Sequence, residues 1–419
     1  MMKKNWEIKK LGEVCEVIAG QSPEGKFYNQ DKKGTPFYQG KKDFGLKYLD
    51  KPTVWTTVET KIALENDILM SVRAPVGDIN ICTSRVCIGR GLAAIRASEA
   101  VNNDFLFYFL LSIKSKITGK EGAVFASINR QEIAALQIPI PPLSEQKRIV
   151  KILDEKFAHL ESLKANAQTN LQNAKDLFQS QLSQAFEQKD CHTDSGLLTQ
   201  SQKKDFKDFP LGKSNPCGNK WKTVRLGDCG TFKNGMNFAA TDSGYTIRSL
   251  GVGDFKDRYS IDDTETLSEI SLKAAPSEDY LLHDGDIVFV RSNGNKELVG
   301  RCLLVYPKDI PTTYSGFCIR FRKDFDLLDA DFLLHFMKAE SSRKILNGKE
   351  GANISNLNQK ILGDFEVPLP PLPEQKRIVK ELDTLSKKVK ALCTIYEKQI
   401  ADCEELKQAY LQKAFDAGL

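Results

Sequence analysis

From Ile378 onward, apolar residues recur at alternating steps of four and three: Ile378, Leu382, Leu385, Val389, Leu392, Tyr396, Gln399, Cys403, Leu406 and Tyr410. This is the seam of a coiled coil, and at 1.5 Å per residue the 33 residues predict a helix about 50 Å long. A weaker stripe of the same phase runs through Ile149, Leu153, Lys156, Leu160, Leu163, Ala167, Asn170, Ala174, Leu177 and Gln181. Two such helices are expected to pair. Asn170 and Gln399 occupy equivalent seam positions; buried, they would fix register and orientation, and exposed they would mark an imperfect stretch of the coil. The prolines ahead of each stripe favour extended backbone and place the helix starts at Ser144 and Pro373.

The segments before the stripes show a different pattern. Ile68-Leu-Met-Ser-Val72 and Ile287-Val-Phe-Val290 are short apolar runs bounded by polar residues and glycine, as in buried strands. Downstream, Asp104 and Asp331 are expected to cap helices carrying Phe105, Leu106 and Phe109, or Phe332, Leu333 and Phe336, on a core-facing side. The expected fold class is α+β: two bodies of mixed short strands and helices, and two long helices.

The chain is an internal tandem repeat. Pro139-Ile-Pro-Pro-Leu-Ser-Glu-Gln-Lys-Arg-Ile-Val-Lys-Ile-Leu-Asp154 returns at an offset of 229 as Pro368-Leu-Pro-Pro-Leu-Pro-Glu-Gln-Lys-Arg-Ile-Val-Lys-Glu-Leu-Asp383. The same offset relates Gly119–Ala123 to Gly348–Ala352 and reaches Phe186 and Phe415, whereas Trp6 and Leu11 match Trp221 and Leu226 at an offset of 215. The second copy therefore gains fourteen residues (229 − 215) inside a body that otherwise shares little with the first.

Composition narrows the partners only slightly. A hydrophobic content of 41% over 419 residues supplies a core for two to four domains, and a net charge of +5 does not by itself imply nucleic acid. Ten scattered cysteines without a Cys-x-x-Cys, and four histidines, lack metal-ligand spacing, so reduced buried thiols and no metal are expected. The start lacks the apolar run of a signal peptide, and the longest apolar stretch, Phe105 to Ile113, is too short to span a bilayer, so a cytoplasmic location is expected.

The polar loops carry the candidate chemistry. Arg73 follows the first strand, and Arg291 the second, the latter ahead of Asn293, Asn295 and Lys296. Arginine forks match guanine and asparagine amides match adenine, so these residues, with Tyr38, Gln39, Lys41, Lys42 and Arg248, are candidates for reading bases. The repeated glycine phrase offers Lys120 and Lys349, followed by Ser127, Asn129 and Arg130 or by Asn353, Ser355 and Asn356, as groups to hold phosphate oxygens or as an ordinary surface loop. The repeated polar turn, Glu145, Gln146, Lys147 and Arg148 with Glu374, Gln375, Lys376 and Arg377, is a partner-docking candidate used twice, a packing element at the base of each body, or a solvated turn that survived duplication.

Two variable bodies, each closed by Pro-x-Pro-Pro-Leu-x-Glu-Gln-x-x-Ile and a long helix, resemble the specificity subunit of type I restriction-modification systems over essentially the whole chain. The resemblance implies target recognition domains at 1–141 and 221–370, spacer helices at 142–187 and 371–416 pairing as an antiparallel coiled coil, and a polar linker at 188–220. It implies a subunit without catalysis of its own that contacts double-stranded DNA with a split asymmetric target and recruits two methyltransferase and two restriction motor-nuclease subunits. S-adenosylmethionine is then expected on the methyltransferase, and ATP and magnesium on the restriction partner. The residues agree: there is no Asn-Pro-Pro-Tyr and no Gly-x-x-x-x-Gly-Lys-Ser/Thr phosphate loop. A non-catalytic coiled-coil scaffold binding proteins rather than DNA is the other reading. A rod of about 50 Å suits half-sites on one duplex face, one turn of roughly 34–36 Å apart.

Overall fold

The computed structural model describes residues 6–117, 127–186, 221–239, 241–255, 258–346 and 356–416, apart from the side chains of 116, 296 and 416. It divides into two compact units, Met1–Thr169 with Tyr396–Leu419, and Asn170–Ile395. Each unit thus holds one body together with parts of both long helices, called here rod 1 (Leu143–Phe186) and rod 2 (Leu372–Asp416).

In the first unit a four-stranded antiparallel sheet runs in the order Cys15–Ala19, Leu92–Ala97, Ile68–Ser71, Ile79–Ile81. A second sheet of five short strands contains the parallel pair Thr35–Tyr38 and Val86–Ile88. In the second unit the corresponding sheet has five strands, in the order Gly230–Asn234, Cys318–Lys323, Asp286–Val290, Cys302–Val305, Ser260–Ile261. A three-stranded sheet is built around Tyr245–Leu250. In both units the first strand, Glu7–Lys10 or Lys222–Arg225, pairs antiparallel with the strand leading into the rod, Gln137–Ile140 or Glu366–Leu369, so body entry and exit are joined.

Matched hydrogen bonds locate the fourteen extra residues. Gly20 and Gly235 donate to Leu92 and Cys318 carbonyls, and Arg96 and Arg322 make paired hydrogen bonds to Asp67 and Asp286. The offset therefore climbs from 215 at Gly20 to 219 at Asp67, 226 at Leu92, 227 at Phe105 and 229 at Asn129, the growth lying in loops while the strands keep their places.

The body helices are Asn103–Ser112 and Ala330–Lys338. Their caps are Asn102 and Asp329, whose side chains accept from the amides of Phe105 and Phe332, not Asp104 and Asp331 as expected from the sequence. Asp104 instead pairs with Lys47 at 2.9 Å, while burial pushes the Asp331 carboxyl up. The helix aromatics are core: Phe105 and Phe109 meet Phe415 edge-on in the first unit, and Phe332 and Phe336 meet Phe186 in the second.

The rods pair antiparallel within each unit, with Glu161 bonded to Lys407 and Lys164 to Glu404 in the first. Half of the predicted seam is correct: Ile149, Leu153, Leu160, Ala167 and Ala174 are buried, as are Ile378, Leu382, Leu385, Val389 and Cys403. Leu177, Gln181, Leu392, Tyr396 and Tyr410 are half-buried, and at the remaining five positions the covered face lies one residue on. Lys156, Leu163 and Asn170 are exposed, and Phe157, Lys164 and Leu171 face inward in their stead, while Phe178 and Leu182 are buried beside Leu177 and Gln181; Gln399 and Leu406 are exposed, while Ile400 and Lys407 turn in. A straight helix drifts about 20° per heptad from a strict 3.5 repeat, which widens the buried face. Lys164 and Lys407 fill it with their aliphatic stems and keep their ammonium groups on carboxylates. Because Asn170 and Gln399 are exposed, neither sets the register.

Eight cysteines lie among the described residues, all free, and seven of them are buried. Burial pushes the thiols of Cys15 and Cys318 up to about 12 and that of Cys82 to about 11. No group of three metal-ligating side chains occurs among the described residues. No helix there is long and apolar enough to cross a membrane.

Candidate nucleic-acid interface

At one end of each main sheet, loops are drawn together by backbone hydrogen bonds. In the first unit Gly91 donates to Gln39, Val72 to Gly91 and Ile128 to Val72, at 3.2, 2.9 and 3.0 Å, and Arg73 bridges Ser127. Gln21 donates to Ile88 at 3.0 Å, and the Arg90 amide to the Ser22 hydroxyl at 3.1 Å. Such close approach needs glycine: a Cβ on Gly20 would stand 2.2 Å from the Gly89 carbonyl oxygen, and one on Gly235 2.1 Å from that of Ser315. The resulting rim presents exposed Gln21, Gln39, Arg73, Arg90 and Ser127.

The second unit builds the same rim with other side chains. Met236 donates to Tyr314, Gly316 to Met236, Arg291 to Phe317, and Leu357 to Arg291, at 3.0, 2.7, 2.8 and 2.8 Å. Here the rim carries Arg291, Asn293, exposed Asn237 and Asn356, and Phe317 at 59% exposure. The two strand-end arginines are not equivalents. Val72 and Arg291 make the same bond to the neighbouring strand, so Arg73 corresponds to Ser292, and a one-residue step turns a strand side chain to the opposite face. Arg73 is exposed, whereas Arg291 is half-buried with Nη1 3.5 Å from the Gly316 oxygen.

Several candidates have other work. Tyr38 is 2% exposed, its hydroxyl donating to the Asp50 carbonyl and its phenol pushed up to about 12 chiefly by burial, so it is a core residue. The Arg248 guanidinium is committed to the Leu267 carbonyl at 2.8 Å and to Glu269 at 3.1 Å. Asn129 caps the turn Arg130–Ala134, accepting from Glu132, as Asn358 does for Gln359–Gly363. Asn293 and Asn295 accept from the amides two residues on, shaping their own loop. Lys41 pairs with Asp78 at 2.5 Å; burial raises that carboxyl, but the ammonium groups of Lys114 and Lys41 outweigh it and hold it low. Lys42 and Arg130 are exposed. Lys120, Lys349, Asn353, Ser355 and the Lys296 side chain lie outside the described residues.

The repeated polar turn resolves into parts. Glu145 holds Arg148 through two bonds of 2.7 and 2.9 Å, and Glu374 holds Arg377 through two of 2.8 Å, while Lys147 and Lys376 are exposed. Gln146 and Gln375 are fully buried. They bond the chain just before each body helix and the proline carbonyl ahead of the rod, so they serve the joint between body and rod and offer no surface to a partner. About two turns on, the Tyr108 hydroxyl donates to Asp154 at 2.5 Å in one unit, and His335 Nε2 lies 2.9 Å from Asp383 in the other. Burial first, and then the Asp154 carboxylate, raise the Tyr108 phenol, whereas the His335 contact lowers the Asp383 carboxyl.

The rim residues Gln21, Arg90, Asn237 and Phe317 escaped the sequence reading. The paired Gly20 and Gly235, at the offset of 215 already set by Trp6 and Trp221, were the available signal.

The family model described as "Type I restriction modification DNA specificity domain" matches this chain twice, at residues 3–173 and 218–398. The StySPI specificity subunit of Salmonella potsdam is 28% identical over 348 residues, covering 79% of this chain and 68% of its own. A putative MjaX specificity subunit of Methanocaldococcus jannaschii is 46% identical over 153 residues, the match spanning only 36% of each chain. Among solved structures, a chain from work on assembly and conformational transition of the type I R-M system superposes with a TM-score of 0.74 at 20% identity over the full length of both. The HsdS subunit of Thermoanaerobacter tengcongensis gives 0.55 at 20% identity, covering 100% of this chain and 98% of its own. Two matches to the family model, one on each copy of the repeat, cover most of the sequence, and the chain belongs to the type I restriction-modification DNA specificity family.

Proposed function

We propose that each body reads one half of a split, asymmetric double-stranded DNA target for a type I restriction-modification complex. The observation that carries this is one loop framework built twice with different side chains on its rim: Gln39, Arg73 and Arg90 in one unit, Asn237, Arg291 and Phe317 in the other. Equal frames hold the DNA alike, and unequal side chains select different bases. The chain supplies the address and its partners the reaction: two methyltransferase subunits using S-adenosylmethionine, and two restriction subunits using ATP and magnesium, in the cytoplasm.

Methylome sequencing of the host with and without the gene tests the reading. Two short unlike motifs at a fixed unread spacing are expected, and a continuous or palindromic motif would sink it. Within that target, Arg73→Ala and Arg90→Ala are each expected to relax one base position in a single half, by about 1–3 kcal/mol if the guanidinium forks a guanine. Equal weakening on every sequence, with the salt slope reduced by about 1, would instead mark a phosphate contact.

A further inference from the structure

We infer that Gln146 and Gln375 are positioning residues that fix the orientation of each body on its rod, and thereby set how strictly the spacing between half-sites is read. This rests on the split-target reading above. Both glutamines are fully buried, and both make the same three hydrogen bonds, one accepted by the amide oxygen and two donated by the amide nitrogen. The Oε1 of Gln146 accepts from the Asn102 amide at 2.7 Å, and its Nε2 donates to the carbonyls of Ala100 and Pro141 at 3.0 and 2.8 Å. In the second copy Oε1 accepts from Asp329 at 2.8 Å, and Nε2 donates to Leu327 and Pro370 at 2.7 and 2.8 Å.

Three segments meet at one side chain: the residues entering the body helix, the proline hinge and the first turn of the rod. Asn102 and Asp329 are also the helix caps, so the latch grips the end of the helix whose other aromatic contacts form the core. Besides the contacts of Asp154 with Tyr108 and Lys47 and of Asp383 with His335, much of each joint is apolar packing, which is non-directional and tolerates small rotations. A buried amide with three partners does not, because turning the body breaks a bond where water cannot replace it. The neighbouring polar contact changed from Tyr108 to His335 between the copies, and the glutamine did not.

The test uses the full chain assembled with its methyltransferase subunits. Methylation is measured on duplexes carrying the two mapped half-sites at the native spacing and at one base pair more or less. Gln146→Met and Gln375→Met, each keeping the volume and losing all three bonds, are expected to lower the preference for native spacing by about tenfold, the scale of a few buried hydrogen bonds made imperfect. Gln146→Asn and Gln375→Asn, which keep the amide but are one methylene too short to reach all three partners, serve where a methionine variant does not fold and are expected to lose less. Leu303→Ala, in the buried body core away from the latch, controls for lost stability and is expected to slow all three substrates alike. Any folded glutamine variant that slows all three alike and keeps the wild-type preference overturns the inference. If the wild-type complex shows no fixed spacing, the split-target reading fails instead.

Discussion

Replacing Phe186 by alanine is expected to destabilise the second unit by about 3–5 kcal/mol, the usual loss for a buried phenylalanine with its cavity. Phe186 ends rod 1 and is 7% exposed, with its ring edge-on to Phe332 and Phe336 at centroid distances of 5.3 and 5.2 Å. It joins the core that contains Ile378, Leu382 and Leu385 of rod 2, so its removal empties the meeting point of body helix and both rods. Calorimetry of the full chain should show the transition assigned to this unit shifted down, with the first unit little changed. A loss under about 1 kcal/mol would mean that the site collapses around the truncation. Phe415→Ala, which removes the equivalent ring from Phe105 and Phe109, is expected to act in the same way on the first unit.

Arg322→Leu is the second large effect, again about 3–5 kcal/mol, because it strands a buried charge. Asp286 is 1% exposed and takes two bonds from Arg322, Nε at 2.9 Å and Nη2 at 2.8 Å, besides the His283 amide at 2.7 Å. Without the guanidinium the carboxylate sits desolvated on the central strand of the main sheet. Arg322→Lys rescues poorly, since a single ammonium cannot span both oxygens. The double variant Asp286→Asn with Arg322→Leu should recover much of the loss, because the buried charge goes with its partner. Urea titration of the three variants checks the order, and a double variant no better than Arg322→Leu refutes the explanation. Asp67 and Arg96 make the same fork in the first unit at 3.0 and 2.8 Å, so the result should repeat there.

These pairs also mark how far the sequence could be followed. The tandem repeat, the two rods and the division of bodies from rods are written in local patterns: apolar spacing sets which helix face is sticky, and proline stops what precedes it. Asp67 with Asp286, and Phe186 with Phe415, were visible as repeated letters, but their partners were not, since Arg96 and Arg322 stand 29 and 36 residues away. The seam was legible only to half its width, because which flank of a heptad stripe is covered depends on what lies against it.

By itself the sequence determined the duplication, the α+β bodies, the paired helices and the family. Tertiary structure alone decided the state of individual polar groups. Gln146 reads as one more hydrophilic residue in Glu-Gln-Lys-Arg, yet it is buried because segments 44 and 46 residues away supply its partners. Tyr38 and Arg248 look like contacts and are structural, while Arg90 and Phe317 reach the rim because a strand register places them there. Periodicity is a property of neighbours along the chain. Burial, hydrogen bonding and the face a strand residue points to depend on distant segments, and so appear only when the chain is folded.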